Sequence, residues 1–227
     1  KGKEYLSSNK QSFFHTIPKL PPKSLEDVLR GVPELDAREG KNERRDFHPY
    51  HYVNIMKEDK YWWVKNTPIG ETAFNNQCIN KDCNFSDNPR HFEHQENGKW
   101  VSAKNIPINC IQCDSLLPRP SIIDKETGKR RMIKGFHSAY RRMDPKKPSS
   151  AITINYPYEA SDNKVHPYEN RVLSTYEVMK IQTITDYNYN WSLGHKPATR
   201  ALIAQSIGES VPPKLLDIIT QKILELS

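Results

Sequence analysis

An α+β fold with a loop-rich middle and a helical end is what the sequence predicts, on three observations. Only 36% of the 227 residues are hydrophobic and 17 are prolines, with a mean hydropathy of −0.81, so the core is modest and much of the chain irregular. The cysteines form two close pairs, Cys78-x4-Cys83 and Cys110-x2-Cys113, with 26 residues between them. Sustained apolar periodicity is confined to the C-terminal part of the chain.

The elements follow in order. Residues 1–23, with Pro18, Pro21 and Pro22, read as a strand or extended lead-in. A short helix comes next, capped by Ser24 with Asp27 in the capping-box position and ended by Gly31. Residues 36–50 are polar and charged, a hinge or surface crossing. Tyr61-Trp62-Trp63-Val64 is predicted as a strand and Thr67-Pro68-Ile69-Gly70 as a turn. Trp62 and Trp63 are read as core aromatics rather than bases' stacking partners. Asp124-Lys125-Glu126-Thr127-Gly128 marks a hairpin turn, and Ala151-Ile152-Thr153-Ile154 alternates as a strand. Ser174 and Glu177 form a second capping box at the head of a helix. A further helix is expected over 198–207, stopping at Gly208. A last one opens at Pro212-Pro213, its apolar face built from Leu215, Leu216, Ile218, Ile219, Ile223 and Leu224.

No apolar run reaches membrane-spanning length and the start is not a signal peptide, so a soluble intracellular protein is expected. Thiols stay reduced in that compartment, which favours a tetrahedral structural zinc on Cys78, Cys83, Cys110 and Cys113. Two disulfides or free buried thiols are the alternatives. His91 and His94 lie between the pairs and could replace a cysteine ligand, but are read as loop histidines.

Charge is concentrated. Residues 125–147 hold nine basic and two acidic side chains, and that surplus equals the net charge of the whole chain, +7. The basic doublets stand beside Gly135, Phe136, His137 and Tyr140, a footprint for a polyanion and specifically for nucleic acid; a solvated basic loop is the bland alternative.

Three later segments, read together, resemble the C-terminal part of DNA cytosine-5 methyltransferases. Arg142-Met143-Asp144-Pro145 through Pro148 and Ile152-Thr153 is similar to the strand that ends the family's target-recognition domain. His166-Pro167 through Arg171, Leu173-Ser174, Glu177 and Gln182 resembles its ninth conserved block, and Ser206-Ile207-Gly208-Glu209-Ser210-Val211-Pro212-Pro213 its tenth. Residues 24–35 resemble the segment that precedes the recognition domain. Ala151, Tyr176, Ile184-Thr185 and Glu209 depart from the family's residues.

The chain has neither the Gly-rich S-adenosylmethionine loop, nor the Pro-Cys nucleophile loop, nor the Glu-Asn-Val of these enzymes. Their chemistry needs a thiolate to attack the ring of a flipped cytosine. The resemblance therefore implies the recognition subunit of a split, restriction-modification enzyme, cytoplasmic and nucleoid-associated. A catalytic subunit would carry nucleophile and cofactor, and the C-terminal helices would complete that partner's α/β domain. A stand-alone zinc-dependent DNA-binding module and a non-catalytic regulatory subunit are the rival functions.

The implied organisation is 1–45 lead-in and hinge, 46–160 zinc-stabilised recognition domain, and 161–227 conserved blocks. By the same resemblance Lys134, Arg141, Arg142, Thr153, Arg130 and Arg131 contact double-stranded DNA. Gly208, Glu209 and Ser210 line the cofactor, and Arg171 and Glu177 organise the small domain against the core.

Overall fold

The structure, a computed structural model, describes residues 17, 19–102, 106–133, 135–136 and 138–226. The extended lead-in predicted for 1–23 and Lys134 and His137 of the basic stretch therefore fall largely or wholly outside the described residues. Among those described, no helix is long and apolar enough to cross a membrane.

The architecture is mixed α and β, with short elements joined by long turns. Helix α1 (Leu25–Leu29) and helix α2 (Glu58–Lys65) precede a 3-10 turn at Ala73–Asn75. Three separate antiparallel hairpins follow at intervals: β1 (Glu93–Glu96) with β2 (Lys99–Ser102), β3 (Ser121–Ile123) with β4 (Arg130–Met132), and β5 (Ser192–Leu193) with β6 (Lys196–Pro197). Helix α3 (Thr175–Ile181) lies before the last hairpin, and α4 (Arg200–Glu209) and α5 (Pro213–Leu226) close the chain.

Local chemistry accounts for most boundaries. Ser24 Oγ accepts from the Asp27 N–H, and Ser174 and Glu177 make the full reciprocal capping box. The β1–β2 turn is Asn97-Gly98, both residues at positive φ (51° and 74°), the pairing a tight twisted hairpin requires. Asp124 builds the β3–β4 turn: its carboxylate accepts from the Glu126 and Thr127 N–H groups.

Two predicted strands are corrected. Tyr61–Val64 belongs to α2, because Glu58 and Asp59 in its first turn and Lys65 in its last suit the helix dipole. Burial of Trp63 and Val64 then overrides the β preference of the aromatic run. Residues 151–154 form an irregular loop: Lys164 Nζ holds the Ala151 carbonyl and the Thr153 carbonyl accepts from Tyr156 N–H, so the backbone makes no ladder. Helix α4 also runs through Gly208 instead of stopping there.

The main core joins Leu25, Met143, Ile152, Tyr156, Leu173, Val178, Met179, Ile184, Ile203, Ala204 and Ile207. A smaller cluster of Trp63, Ala73, Phe74, Ala139 and Tyr140 lies under the middle of the chain, so both tryptophans serve packing, with Trp62 half-buried against it. A third, Leu35, Val53 and Val172, ties the N-terminal segment to the C-terminal one. The 36–50 segment runs over the surface, pinned by Ala37 N–H to Asn170 O and Arg44 N–H to His51 O. Among its described side chains, helix α5 buries none; Leu215, Leu216 and Ile223 are exposed.

Candidate metal centre and nucleic-acid interface

Each cysteine pair sits on a tight turn. The Cys83 N–H donates to Asn80 O and the Asp114 N–H to Cys110 O, while Asn84 and Asp114, the residues after each second cysteine, take positive φ. These turns aim all four sulfurs at one point: the Sγ atoms lie within 4.8 Å of one another, with Cys78–Cys113 at 3.7 Å and Cys83–Cys110 at 3.9 Å. A tetrahedron with metal–sulfur bonds of about 2.3 Å has edges of about 3.8 Å, so the cage already has the dimensions of a tetrathiolate site. The thiols are free, and these contacts are far longer than an S–S bond.

Polar neighbours line the cage. Asn88 Nδ2 reaches Cys110 Sγ (3.7 Å), Asn80 Nδ2 reaches Cys113 Sγ (3.9 Å), and Ser115 Oγ lies 3.3 Å from Cys113 Sγ. The Ser115 side chain and backbone draw the Cys113 thiol down to about 6. The Phe85 backbone favours the Cys83 thiolate, but burial and the three other thiols outweigh it and push that thiol up to about 12. One thiol gives up its proton readily while its neighbour resists, the pattern expected when four potential anions crowd together without a cation between them. The residues could hold a metal ion. His91 stacks on Phe74 at 5.0 Å, and His94, which lies on strand β1 and not in a loop as expected, pairs with Glu96; the sulfur cluster is formed by the four cysteines.

Arg119, which sequence reasoning missed, lies behind this cage. It is 0% exposed, and its guanidinium gathers the carbonyls of Asn76, Pro89 and Pro107. Burial lowers it to about 10. A lone charge inside Leu116-Leu117-Pro118-Arg119-Pro120 is the signal that could have found it.

The basic stretch divides in two. Lys125, Lys129, Arg130 and Arg131 are exposed on the β3–β4 hairpin, with Arg131 also paired to Asp124 at 2.9 Å. Ile122, Ile123 and Phe136 are exposed nearby in sequence, Phe136 at 79%. In the second half Arg142 turns inward, while Lys146 and Lys147 stay exposed. Arg142 is 4% exposed and spends its guanidinium on the carbonyls of Thr67, Val64, His166 and Glu169 and on Asn170 Oδ1. That corrects the expectation that it reads DNA: no donor is left over, and burial lowers it to about 10. Lys146 pairs with Glu26 and Lys147 with Asp144. Arg141 and Thr153 are half-buried, and Lys134 lies outside the described residues.

Arg171 and Glu177 meet in a buried two-pronged ion pair, 2.7 Å on each prong. Glu177 also caps the Ser174 N–H, and Ser174 Oγ contacts His51 Nδ1. Burial opposes the Glu177 charge, yet Arg171 holds it down to about 2. Burial keeps His166, beside this pair, neutral down to about 3.

Gly208 lies against the 153–154 backbone: a Cβ there would sit 2.2 Å from Ile154 N. Glu209 is exposed with its carboxylate on Gln205, and Ser210 Oγ donates to Ile207 O. These three residues do not by themselves enclose a molecule the size of S-adenosylmethionine.

Comparison with known proteins completes the picture. Residues 33–225 match the family "C-5 cytosine-specific DNA methylase". The chain is 28% identical over 221 residues to the type II methyltransferase M1.HgaI of Avibacterium volantium, covering 92% of this chain and 47% of that protein. It is 27% identical over 107 residues to the type II methyltransferase M.AquIB of a Picosynechococcus species, covering 44% of this chain and 74% of that protein. The chain thus spans about half the length of M1.HgaI. With a match across nearly all of its length, this chain belongs to the C-5 cytosine-specific DNA methylase family.

Proposed function

We propose that this chain is the DNA-recognition subunit of a site-specific cytosine-5 methyltransferase of the restriction-modification type, acting in the cytoplasm with a catalytic subunit. The convergence of all four thiols on one cage carries the reading. A cytosine-attacking nucleophile must be a free thiolate, and this stretch has none outside the cage. The nucleophile and the Gly-rich loop for S-adenosylmethionine, which supplies the methyl group when bound, then belong to the partner.

Residues 46–160 form the recognition domain, braced by structural zinc on Cys78, Cys83, Cys110 and Cys113. Its DNA surface centres on the β3–β4 hairpin, where Arg130 and Arg131 are exposed, with Arg141 and Thr153 further back and Lys134 completing the charge. Residues 161–227 dock on the partner through Gly208, Glu209 and Ser210 beside its cofactor and through the apolar face of α5. Arg171 and Glu177 organise the small domain against the core.

Co-expression with a catalytic half and a cytosine-methylation assay test the proposal. Methylation should require both chains. Normal methylation after deletion of this chain overturns it, and tight, sequence-specific DNA binding by the lone chain favours an independent DNA-binding module.

A further inference from the structure

Arg119 is a fully buried cation with no carboxylate hydrogen-bonded to it among the described residues. Its three hydrogen bonds go to neutral carbonyls: Nε to Asn76 O at 2.7 Å, and Nη1 to Pro89 O and Pro107 O, each at 2.9 Å. Its Nη2 has no partner there. Its charged neighbour Arg90 repels it, and the attraction that opposes this comes from Cys110, a member of the cage. A charge held this deep without compensation is costly, and it persists only where something supplies the opposite field.

The carbonyls it gathers point to the source. Asn76 stands two residues before Cys78. Pro89 follows Asn88, whose amide lies 3.7 Å from Cys110 Sγ. Pro107 stands three residues before Cys110, and Arg119 itself follows the Cys110–Cys113 turn, which Leu117 N–H to Ile108 O closes at 2.8 Å. The guanidinium therefore binds three of the four chain segments that enter or leave the thiol cage, and Arg119 itself stands on the fourth. Four thiolates around one divalent metal carry two surplus negative charges.

We propose that Arg119 is the built-in counter-charge of the tetrathiolate centre: it positions the loops that carry the cysteines and offsets the negative charge the loaded cage acquires. It touches no ligand directly, so it is a positioning residue, and its role rests on the zinc reading above. The same arrangement explains why a buried arginine is tolerated with only carbonyl partners. The anion that balances it forms when the metal binds.

The test uses the full chain and zinc alone, with affinity measured by competition against a chromogenic chelator and cage geometry by the absorption of the Co2+-loaded form. R119M should bind zinc about 10- to 100-fold more weakly, the range typical of groups that support metal ligands. R119K, which keeps the charge but loses the planar fork, should recover most of that loss. A folded R119M with wild-type affinity overturns the proposal. So does an R119K as weak as R119M, which would make Arg119 a hydrogen-bonding scaffold only. If R119M does not fold, R119K decides alone: near-wild-type affinity supports the counter-charge, and a tenfold loss overturns it. Wild-type chain that takes up no zinc sinks the zinc reading itself, whereas loaded wild type with an unaffected R119M sinks only this one.

Discussion

Two fully buried arginines, Arg119 in the middle of the chain and Arg171 in its C-terminal third, solve the same problem in opposite ways. Arg171 faces Glu177 and Glu169, and those carboxylates hold its charge firmly despite burial. Arg119 hydrogen-bonds only carbonyls among the described residues, and burial pulls it down to about 10. The surroundings differ in kind as well. Around Arg171 an eleven-residue apolar core and a capped helix already support the fold. Around Arg119 the nearby apolar cluster has five buried members, and the thiol cage must close the loops. One region is held by its own apolar core; on the proposed zinc reading, the other depends on an ion.

Removing one cysteine separates them most sharply. On the proposed zinc reading, the wild type should bind roughly one zinc per chain, and Cys110→Ala should abolish that binding and unfold the 78–119 loops while leaving α3 and α4 protected, as read by metal analysis and hydrogen exchange. Uniform loss of protection would mean the two regions are one cooperative unit. Next, E177Q leaves Arg171 short of a buried partner and should cost about 3–5 kcal/mol in urea unfolding, without changing zinc content.

The pH dependence follows from the same site. His166 is depressed from 6.5 to about 3 in the fold, so as pH falls the unfolded chain takes up that proton first and stability declines from about 6.5 downward. Glu177, depressed from 4.5 to about 2, adds a further loss as pH falls below 4.5. H166Q should flatten the first decline and spare the second. G208A should cost about 1–3 kcal/mol by forcing α4 off the 153–154 backbone. A G208A chain of normal stability whose complex with the catalytic half binds S-adenosylmethionine poorly would instead favour the cofactor role. The smallest effect is expected on the hairpin. R130Q and R131Q should leave stability within about 0.5 kcal/mol and lower the salt slope of DNA binding by about one for each phosphate no longer neutralised. Arg142→Gln should do the reverse, destabilising the fold, because its donors are all committed inside.

Legibility tracked how local the signal was. Ser174 with Glu177 and Asp124 with Gly128 act within a few residues, and both elements formed as expected. Asn97-Gly98 carries an equally local hairpin signal, although no strand was expected around it. Tyr61–Val64 failed because four aromatic and branched residues suit a strand or a buried helix, and only the flanking charges decide. Arg142 failed for another reason. A basic run is visible in one dimension, but which of its members face inward depends on the carbonyls that other segments bring up.

The sequence by itself determined the two cysteine pairs, the caps and turns, and the family blocks, all properties of residues close in the chain. Only the tertiary structure brought the pairs to within 4.8 Å, divided the basic stretch into an exposed hairpin and a buried clamp, and put Gly208 against the backbone of residues 153–154. Those outcomes turn on which backbone groups must be satisfied once segments far apart in sequence are buried together, and no local pattern encodes that.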